Sequence, residues 1–208
     1  RVPALPLSLS HVESIMYDYP DSALSLLESM VVPSDKYQRA VYSLLLVQAR
    51  DKNYVKHTSD SLINVAYDYF MKREDPHRRA LVLNYEGRVN EDLREVEKAT
   101  KFYLRAADEV KDTEDYRLGY LINSNLGMIY AYRGLNQEGL LAFQKAHELA
   151  KQSKKSSHII YSLIGLARIH ASTGQWEESI SGYKQAIEIS KKTNSKKSLG
   201  TALSELGA

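Results

Sequence analysis

Residue classes recur along this chain at a spacing of 40, and this period constrains the fold more than any other feature of the sequence. Small residues repeat at this spacing at Gly87, Gly127, Ala167 and Gly207. Alanine repeats at Ala66, Ala106, Ala146 and Ala186, and an aromatic residue repeats at Tyr103, Phe143 and Tyr183. A fixed period of about 20–50 residues indicates stacked repeats, in which each unit buries its apolar face against the next.

The repeated unit is predicted to be a pair of helices. Apolar positions 99, 102, 103, 106 and 110 follow the spacing of one helical stripe. No Asn-Gly or Asp-Gly hairpin signal occurs, and no proline follows Pro76. The fold class predicted is all-α, an α-solenoid of stacked antiparallel helix pairs with about 11 helices.

Helices are predicted near 9–18, 21–31, 36–51, 59–72, 77–93, 95–111, 115–133, 136–153, 156–173, 176–193 and 196–207. They group into repeats at 9–32, 36–72, 77–112, 115–153 and 156–193, with a half repeat at 196–208. We expect residues 1–208 to form a single superhelical array. Because the chain starts at an arginine and stops after half a repeat, we also expect it to be a fragment of a longer protein.

The packing of each pair follows from the repeating classes. A small residue in the middle of the first helix lets the second helix approach closely, and the aromatic residue fills the space beside it. Ala106, Ala146 and Ala186 should therefore be buried where helices cross. Gly134 and Gly174 are predicted to end first helices with positive φ, because a left-handed turn strains glycine little. Arg94, at the equivalent place, is expected to force a different turn.

Composition excludes several classes of function. The chain has no cysteine, so disulfides, cysteine zinc sites and thiol catalysis are ruled out. Its formal charge of +2 argues against a dedicated nucleic-acid-binding protein, and lysines near helix ends fit the helix dipole. The longest apolar stretch, residues 41–47, is far shorter than the roughly 18 residues that a membrane-spanning helix needs.

No catalytic or metal-binding pattern is apparent. The six histidines form no His-Glu-x-x-His motif, and neither a Gly-x-Ser-x-Gly turn nor a glycine-rich phosphate loop is present. Glu91-Asp92 and Glu177-Glu178 lie at predicted helix junctions, where acids near a helix start stabilise its dipole. The sequence predicts no catalytic residue, no metal site and no cofactor, and we interpret the chain as a non-enzyme.

A concave groove is the predicted ligand site. Counting from the small residue of each first helix, the inner face supplies seven candidates: Asn84, Arg88, Ser124, Met128, Tyr132, Tyr161 and Arg168. Asparagine pairs with peptide backbone, arginine with carboxylates, and tyrosine provides an amphipathic wall. We expect a protein or peptide partner there. The alternative interpretation is that these side chains are only solvated.

The repeating strings resemble the tetratricopeptide repeat (TPR). Leu-Gly-x-x-Tyr-x-x-x-Gly at 126–134, followed by Phe143 and Ala146, resembles it, and so does Leu-x-x-Leu-Ala at 163–167 with Gly174, Trp176, Tyr183 and Ala186. The resemblance covers residues 36–208 well and residues 9–32 weakly. Two departures are the period of 40, against about 34 in the family, and the absence of the proline that commonly closes a unit.

Residues 20–28, 42–49, 60–69 and 85–89 resemble a group of bacterial TPR proteins common in gut-dwelling Gram-negative bacteria. That resemblance implies an interaction or sensing module of a larger regulatory or signalling protein. It also implies an export signal, a membrane anchor and often a DNA-binding tail outside this chain. The expected location is therefore the periplasmic side of the cell envelope.

Two other functions stay open. One is a peptide-signal receptor domain of the pheromone type in a cytosolic transcription regulator, which would place the protein in the cytoplasm. The other is a structural scaffold that forms a homodimer through its ends. A signal peptide with a downstream apolar segment in the full-length sequence would favour the envelope protein, and a cytosolic DNA-binding domain would favour the receptor.

Overall fold

Helices are the only regular elements of the part that the computed structural model describes, residues 4–207. Eleven α-helices and one 3-10 turn lie there, which confirms the predicted all-α repeat fold. The chain divides into two compact units, one up to Glu109 and one from Val110 onward. None of these helices is long and apolar enough to cross a membrane.

The first unit contains six helices: α1 (Leu7–Ile15), α2 (Pro20–Ser29), α3 (Lys36–Lys52), α4 (Ser61–Phe70), α5 (Pro76–Asp92) and α6 (Val96–Glu109). Helix α3 packs on α4 and α5 packs on α6 as successive pairs, and α5 also contacts α3 and α4. Asp35 and Asp75 begin the first helices of these pairs, because each carboxylate accepts a hydrogen bond of 3.0 Å from the backbone N–H three residues on.

The second unit contains the 3-10 turn Val110–Asp112 and five helices: α7 (Tyr116–Tyr132), α8 (Asn136–Ser153), α9 (Ser156–Ser172), α10 (Trp176–Lys192) and α11 (Lys196–Leu206). Helices α7 and α8 form one pair, α9 and α10 form the next, and α11 packs on both members of the second pair. Most predicted helix bounds agree with these within two residues. The main differences are α1, which ends at Ile15 rather than 18, and the shorter α4.

The predicted close approach of paired helices is present in each unit. A Cβ atom on Gly127 would lie 2.9 Å from the ring of Phe143, and one on Gly87 would overlap the ring of Tyr103. Residues Ala106, Ala146 and Ala186 have no exposed surface, as predicted. The small residue therefore sets the distance between two helices, and the ring fills what is left.

The turns between paired helices share one conformation, including the turn that was expected to differ. Gly134 and Gly174 have φ of 72° and 76°, as predicted. The prediction for Arg94 is wrong, because its φ of 64° gives the same left-handed turn. Its N–H donates to the carbonyl of Glu91 at 2.9 Å, and the next N–H donates to Asn90 at 2.8 Å. These two bonds satisfy carbonyls at the end of α5 and outweigh the strain of a side chain in this conformation.

Replacing Arg94 with glycine should stabilise the protein. Glycine keeps both backbone hydrogen bonds and removes the left-handed strain, so we expect the free energy of unfolding to rise by about 1 kcal/mol in urea titrations. The matched control is Gly134→Ala, where a Cβ would meet nothing within 4 Å. It should lose about 1 kcal/mol from φ alone. A destabilised Arg94→Gly variant would contradict this account of the turn.

Glu86 is a buried carboxyl in the place of an apolar residue. It lies on α5 at the position that Leu126 and Leu166 occupy in the next two repeats, and it is 2% exposed. Its Oε2 lies 3.4 Å from the amide of Asn90, whereas its Oε1 has no hydrogen-bond partner among the described residues. Burial, reinforced by the charge of Asp60, raises the pKa of Glu86 to about 7.

Replacing Glu86 with leucine should stabilise the protein in a pH-dependent way. Because the folded-state pKa lies above the unfolded value, the contribution of Glu86 to stability is largest below about pH 4.5 and is lost as the pH rises to about 7. The Glu86→Leu variant should therefore gain on the wild type across this window, by up to about 3 kcal/mol above pH 7. Exposed Glu74→Gln is the control, and an equally pH-dependent gain there would refute the role of Glu86.

Candidate functional site

The seven predicted groove residues fall in both units. Asn84 and Arg88 lie on α5 in the first unit. The other five lie on α7 and α9 in the second unit. The residues of each unit form a local arrangement that can be examined by itself.

In the first unit, Asn84 does not present a surface to a ligand. It is only 3% exposed, so its amide lies inside the unit rather than on its face. Arg88 is half-buried and already paired: its Nε donates to Oδ1 of Asp51 at 2.8 Å, and its Nη1 to Oε2 of Glu91 at 3.0 Å. A ligand carboxylate would have to displace one of these two acids.

A buried tyrosine completes this ion-pair network. The hydroxyl of Tyr103 donates to Oε1 of Glu91, whose other oxygen is held by Arg88. Burial raises the pKa of Tyr103 well above its usual range, so the hydroxyl stays a donor. Burial also raises the pKa of Glu91, although the charge of Arg88 opposes this shift. Burial disfavours the charge of Arg88, but the neighbouring Asp51 outweighs it and raises the arginine pKa.

A polar cleft opens beside this network. Two adjoining cavities of about 360 and 250 Å³ share Asp51, Tyr54 and Arg88 as lining residues. Asp92 lines the smaller cavity, and its Oδ2 accepts a hydrogen bond of 2.8 Å from the backbone N–H of His57. The cleft thus mixes carboxylates, a paired guanidinium and a tyrosine ring at the ends of α3 and α5.

In the second unit, the five predicted residues lie on α7 and α9, and one contact joins two of them. Ser124, Met128 and Tyr132 lie four residues apart on one stripe of α7, while Tyr161 and Arg168 lie seven apart on α9. The guanidinium of Arg168 reaches within 3.9 Å of the sulfur of Met128 and joins the two stripes. We call these five residues the α7–α9 face.

The α7–α9 face combines exposed large side chains with a neutralised charge. Met128 is 48% and Tyr132 is 91% exposed. Arg168 donates two hydrogen bonds to Glu205, of 2.9 and 2.6 Å, and these bonds raise the arginine pKa and lower the carboxyl pKa. The face therefore offers a thioether, phenols and a closed ion pair rather than a free cation.

Two positions change together from repeat to repeat. One is the residue that follows the small residue on the first helix, and the other is the aromatic residue on the second helix. Arg88 stands with Tyr103, and Arg168 stands with Tyr183, whose hydroxyl lies 3.4 Å from Oε2 of Glu205. In the repeat between them, Met128 stands with Phe143. A buried tyrosine hydroxyl needs an acceptor, and the arginine holds the carboxylate that provides it.

The two carboxylates that reach the arginines from other helices, Asp51 and Glu205, were not predicted. Each lies on the first helix of a neighbouring pair, 37 residues from its arginine. The sequence signal for these pairs is the separation of 37 residues between each carboxylate and its arginine, which is close to the period of 40 but different from it. No group of His, Cys, Asp or Glu side chains within residues 4–207 has the arrangement of a metal site.

Comparisons with known proteins agree with the helical-repeat fold. The profile of the tetratricopeptide repeat family matches residues 120–192. No curated protein matches the chain. Similar solved structures include a signal transduction ATPase with numerous domains (STAND) protein with a tetratricopeptide repeat sensor from Pyrococcus horikoshii. The TM-score to it is 0.77 at 14% identity, over 96% of this chain and 31% of that one.

Two further structures are similar over most of this chain. BtubC from P. vanneervenii has a TM-score of 0.64 at 14% identity, over 91% of this chain and 76% of that one. Aspartyl phosphate phosphatase F from Bacillus subtilis has a TM-score of 0.66 at 17% identity, over 96% and 58%. At these identities the likeness establishes the fold. The chain spans about a third of the length of the STAND protein.

The two tyrosine hydroxyls should differ in their contribution to stability. Tyr103→Phe removes a buried hydrogen bond to a carboxyl group that Arg88 also holds, so we expect a loss of about 1.5–3 kcal/mol in unfolding free energy. Tyr183→Phe is the matched control, because its longer bond to a partly exposed carboxylate should contribute at most about 1 kcal/mol. Equal losses in urea titrations would show that Glu91 is not the reason for the tyrosine.

Proposed function

We propose that this chain, whose residues 120–192 match the tetratricopeptide repeat family, is a non-catalytic interaction or sensing module that binds a protein or peptide. The observation that supports this most is the α7–α9 face, which lies within the part matched by the family profile. Covering the apolar surface of these large side chains removes it from water, which favours binding. We propose that a partner polypeptide covers them.

The exposed pair on α7 fits the core of an interface. Tyr132 has a large ring whose hydroxyl can stay solvated, and Met128 has a flexible thioether that adapts to the partner's shape. Residues of this kind, rather than the surrounding polar groups, supply most of the free energy of protein association. Because Glu205 neutralises Arg168, the expected partner group at this face is apolar or aromatic and not a carboxylate.

The wider context follows from the resemblances. The STAND protein is described as carrying a tetratricopeptide repeat sensor, which supports a sensing role for the similar fold of this chain. We propose that the chain belongs to a larger bacterial regulatory or signalling protein. Its place at the cell envelope, its link to transcription and its membrane anchor are proposals that rest on the resemblance of residues 20–89. A homodimer stays a prediction.

A pair of tyrosine substitutions on one helix tests the proposed face. Tyr132→Ala should weaken binding of the native partner by about 2 kcal/mol or more, measured by calorimetry after capture by the full chain. Tyr116→Ala is the control, because this tyrosine is also exposed on α7 but four and a half turns earlier, on a different side. Both variants should melt like the wild type, since neither side chain is buried.

Three results would count against the proposal. Equal affinity of the Tyr132→Ala variant and the wild type would move the site away from the α7–α9 face. Weaker binding by Tyr116→Ala alone would place it on the opposite side of α7. Capture of no partner by the wild-type chain, together with concentration-dependent self-association, would favour the structural scaffold instead.

A further inference from the structure

One connection between paired helices in the first unit departs from the repeat. In the α5–α6, α7–α8 and α9–α10 pairs, the second helix begins two residues after the left-handed turn. In the α3–α4 pair the turn residue Tyr54 has the same conformation, with φ of 58°, but α4 begins only at Ser61. Residues 56–60 therefore lie outside any helix, at the positions where the other pairs begin their second helix. We call residues 56–60 the strap.

The sequence of the strap, Lys-His-Thr-Ser-Asp, favours this departure. Threonine, serine and aspartate side chains compete for backbone hydrogen bonds, so they favour caps and turns over helix interiors. The hydroxyl of Ser59 accepts a hydrogen bond of 3.1 Å from the backbone N–H of Ser61, at the start of α4. Local residue preference therefore delays the start of this helix.

One residue anchors the strap to the rest of the unit. His57 is 6% exposed, whereas the other four strap residues are exposed. At the equivalent position the other three pairs have exposed residues: Glu97, Gln137 and Glu177. The backbone N–H of His57 donates to Oδ2 of Asp92 at 2.8 Å. Within the described range 4–207, this is the only hydrogen bond from residues 56–59 to a helix other than α4.

The buried imidazole of His57 is suited only to its neutral form. Its Nε2 has no hydrogen-bond partner among the described residues. Burial lowers the pKa of His57, although nearby carboxylates oppose this shift. A protonated ring would have a charged N–H at Nε2 without an acceptor, which is costly in a buried place. The charged groups around the ring lie on both neighbouring helices: Arg50 and Asp51 on α3, and Arg88 and Asp92 on α5.

The strap also borders the polar cleft beside Arg88. Lys56 lines the smaller cavity, of about 250 Å³, together with Arg88 and Asp92. Asp92 thus lines the cavity and also holds the N–H of His57. If the strap left its place, this cavity would lose one wall and Asp92 would lose its backbone donor. The burial of one imidazole therefore controls the shape of the cleft.

We propose that the strap is a pH-sensitive latch, which closes one side of the polar cleft while His57 is neutral and releases it when the imidazole takes up a proton. The closed state binds this proton more weakly than the open state. Closing is therefore favoured above about pH 6.5 and is lost progressively as the pH falls below this value. The latch lies in the first unit and does not depend on the partner proposed for the α7–α9 face.

Hydrogen exchange at the backbone amide of His57, followed by nuclear magnetic resonance in the full chain, tests the latch. The protection factor corrects for the intrinsic pH dependence of exchange, so it reports the opening equilibrium. Between about pH 7.5 and 5.5 we expect this factor to fall about threefold or more. Amides in the middle of α3 and α5 should show no such fall, because the opening is local.

Two substitutions at the anchor remove its titration. His57→Phe keeps a planar ring at the buried position but cannot bind a proton, so protection of this amide should not depend on pH. His57→Gln serves if the larger ring is not accommodated: it should lower protection at every pH and also abolish the pH dependence. His11→Gln is the matched control, because His11 is an exposed histidine of the same unit. It should behave like the wild type.

Glu86 provides a second control, since it is another buried titrating group of this unit. Its protonation at low pH stabilises the fold, which is the opposite sign to the latch. The Glu86→Leu variant should therefore keep the fall in protection at His57. Three results would overturn the proposal: constant protection in the wild type, an undiminished fall in both position-57 variants, or loss of the fall in Glu86→Leu.

Discussion

The contact between a small residue on one helix and an aromatic ring on the next determines how each repeat is built. A side chain at Gly87 or Gly127 would overlap the ring of Tyr103 or Phe143, so the helices can approach only where no side chain intervenes. This contact fixes the distance and the rotation of the paired helices. The residue that follows the small one, Arg88, Met128 or Arg168, is thereby turned by about 100° around the helix from this contact.

The position that follows the small residue has either an arginine or a methionine. The arginine occurs with a tyrosine on the second helix, and the methionine occurs with a phenylalanine. With phenylalanine as the ring, no hydroxyl needs an acceptor, and the residue that follows the small one is the half-exposed Met128. With tyrosine, a buried hydroxyl demands an acceptor, and the repeat provides an arginine that holds a carboxylate against it. Because a buried ion pair gains little net stability over apolar packing, the choice between the two residue pairs alters the surface more than the fold.

Features set by neighbours along the chain could be predicted from the sequence, and features set across repeats could not. The period, the eleven helices and the turns at Gly134 and Gly174 depend on local residue classes. Asp51 and Glu205 lie 37 residues from Arg88 and Arg168, so the sequence placed both arginines without showing that these carboxylates pair with them. The turn at Arg94 was missed because backbone hydrogen bonds outweigh residue preference there. The aspartates at 35, 75 and 115 repeat with the period and could have marked helix starts.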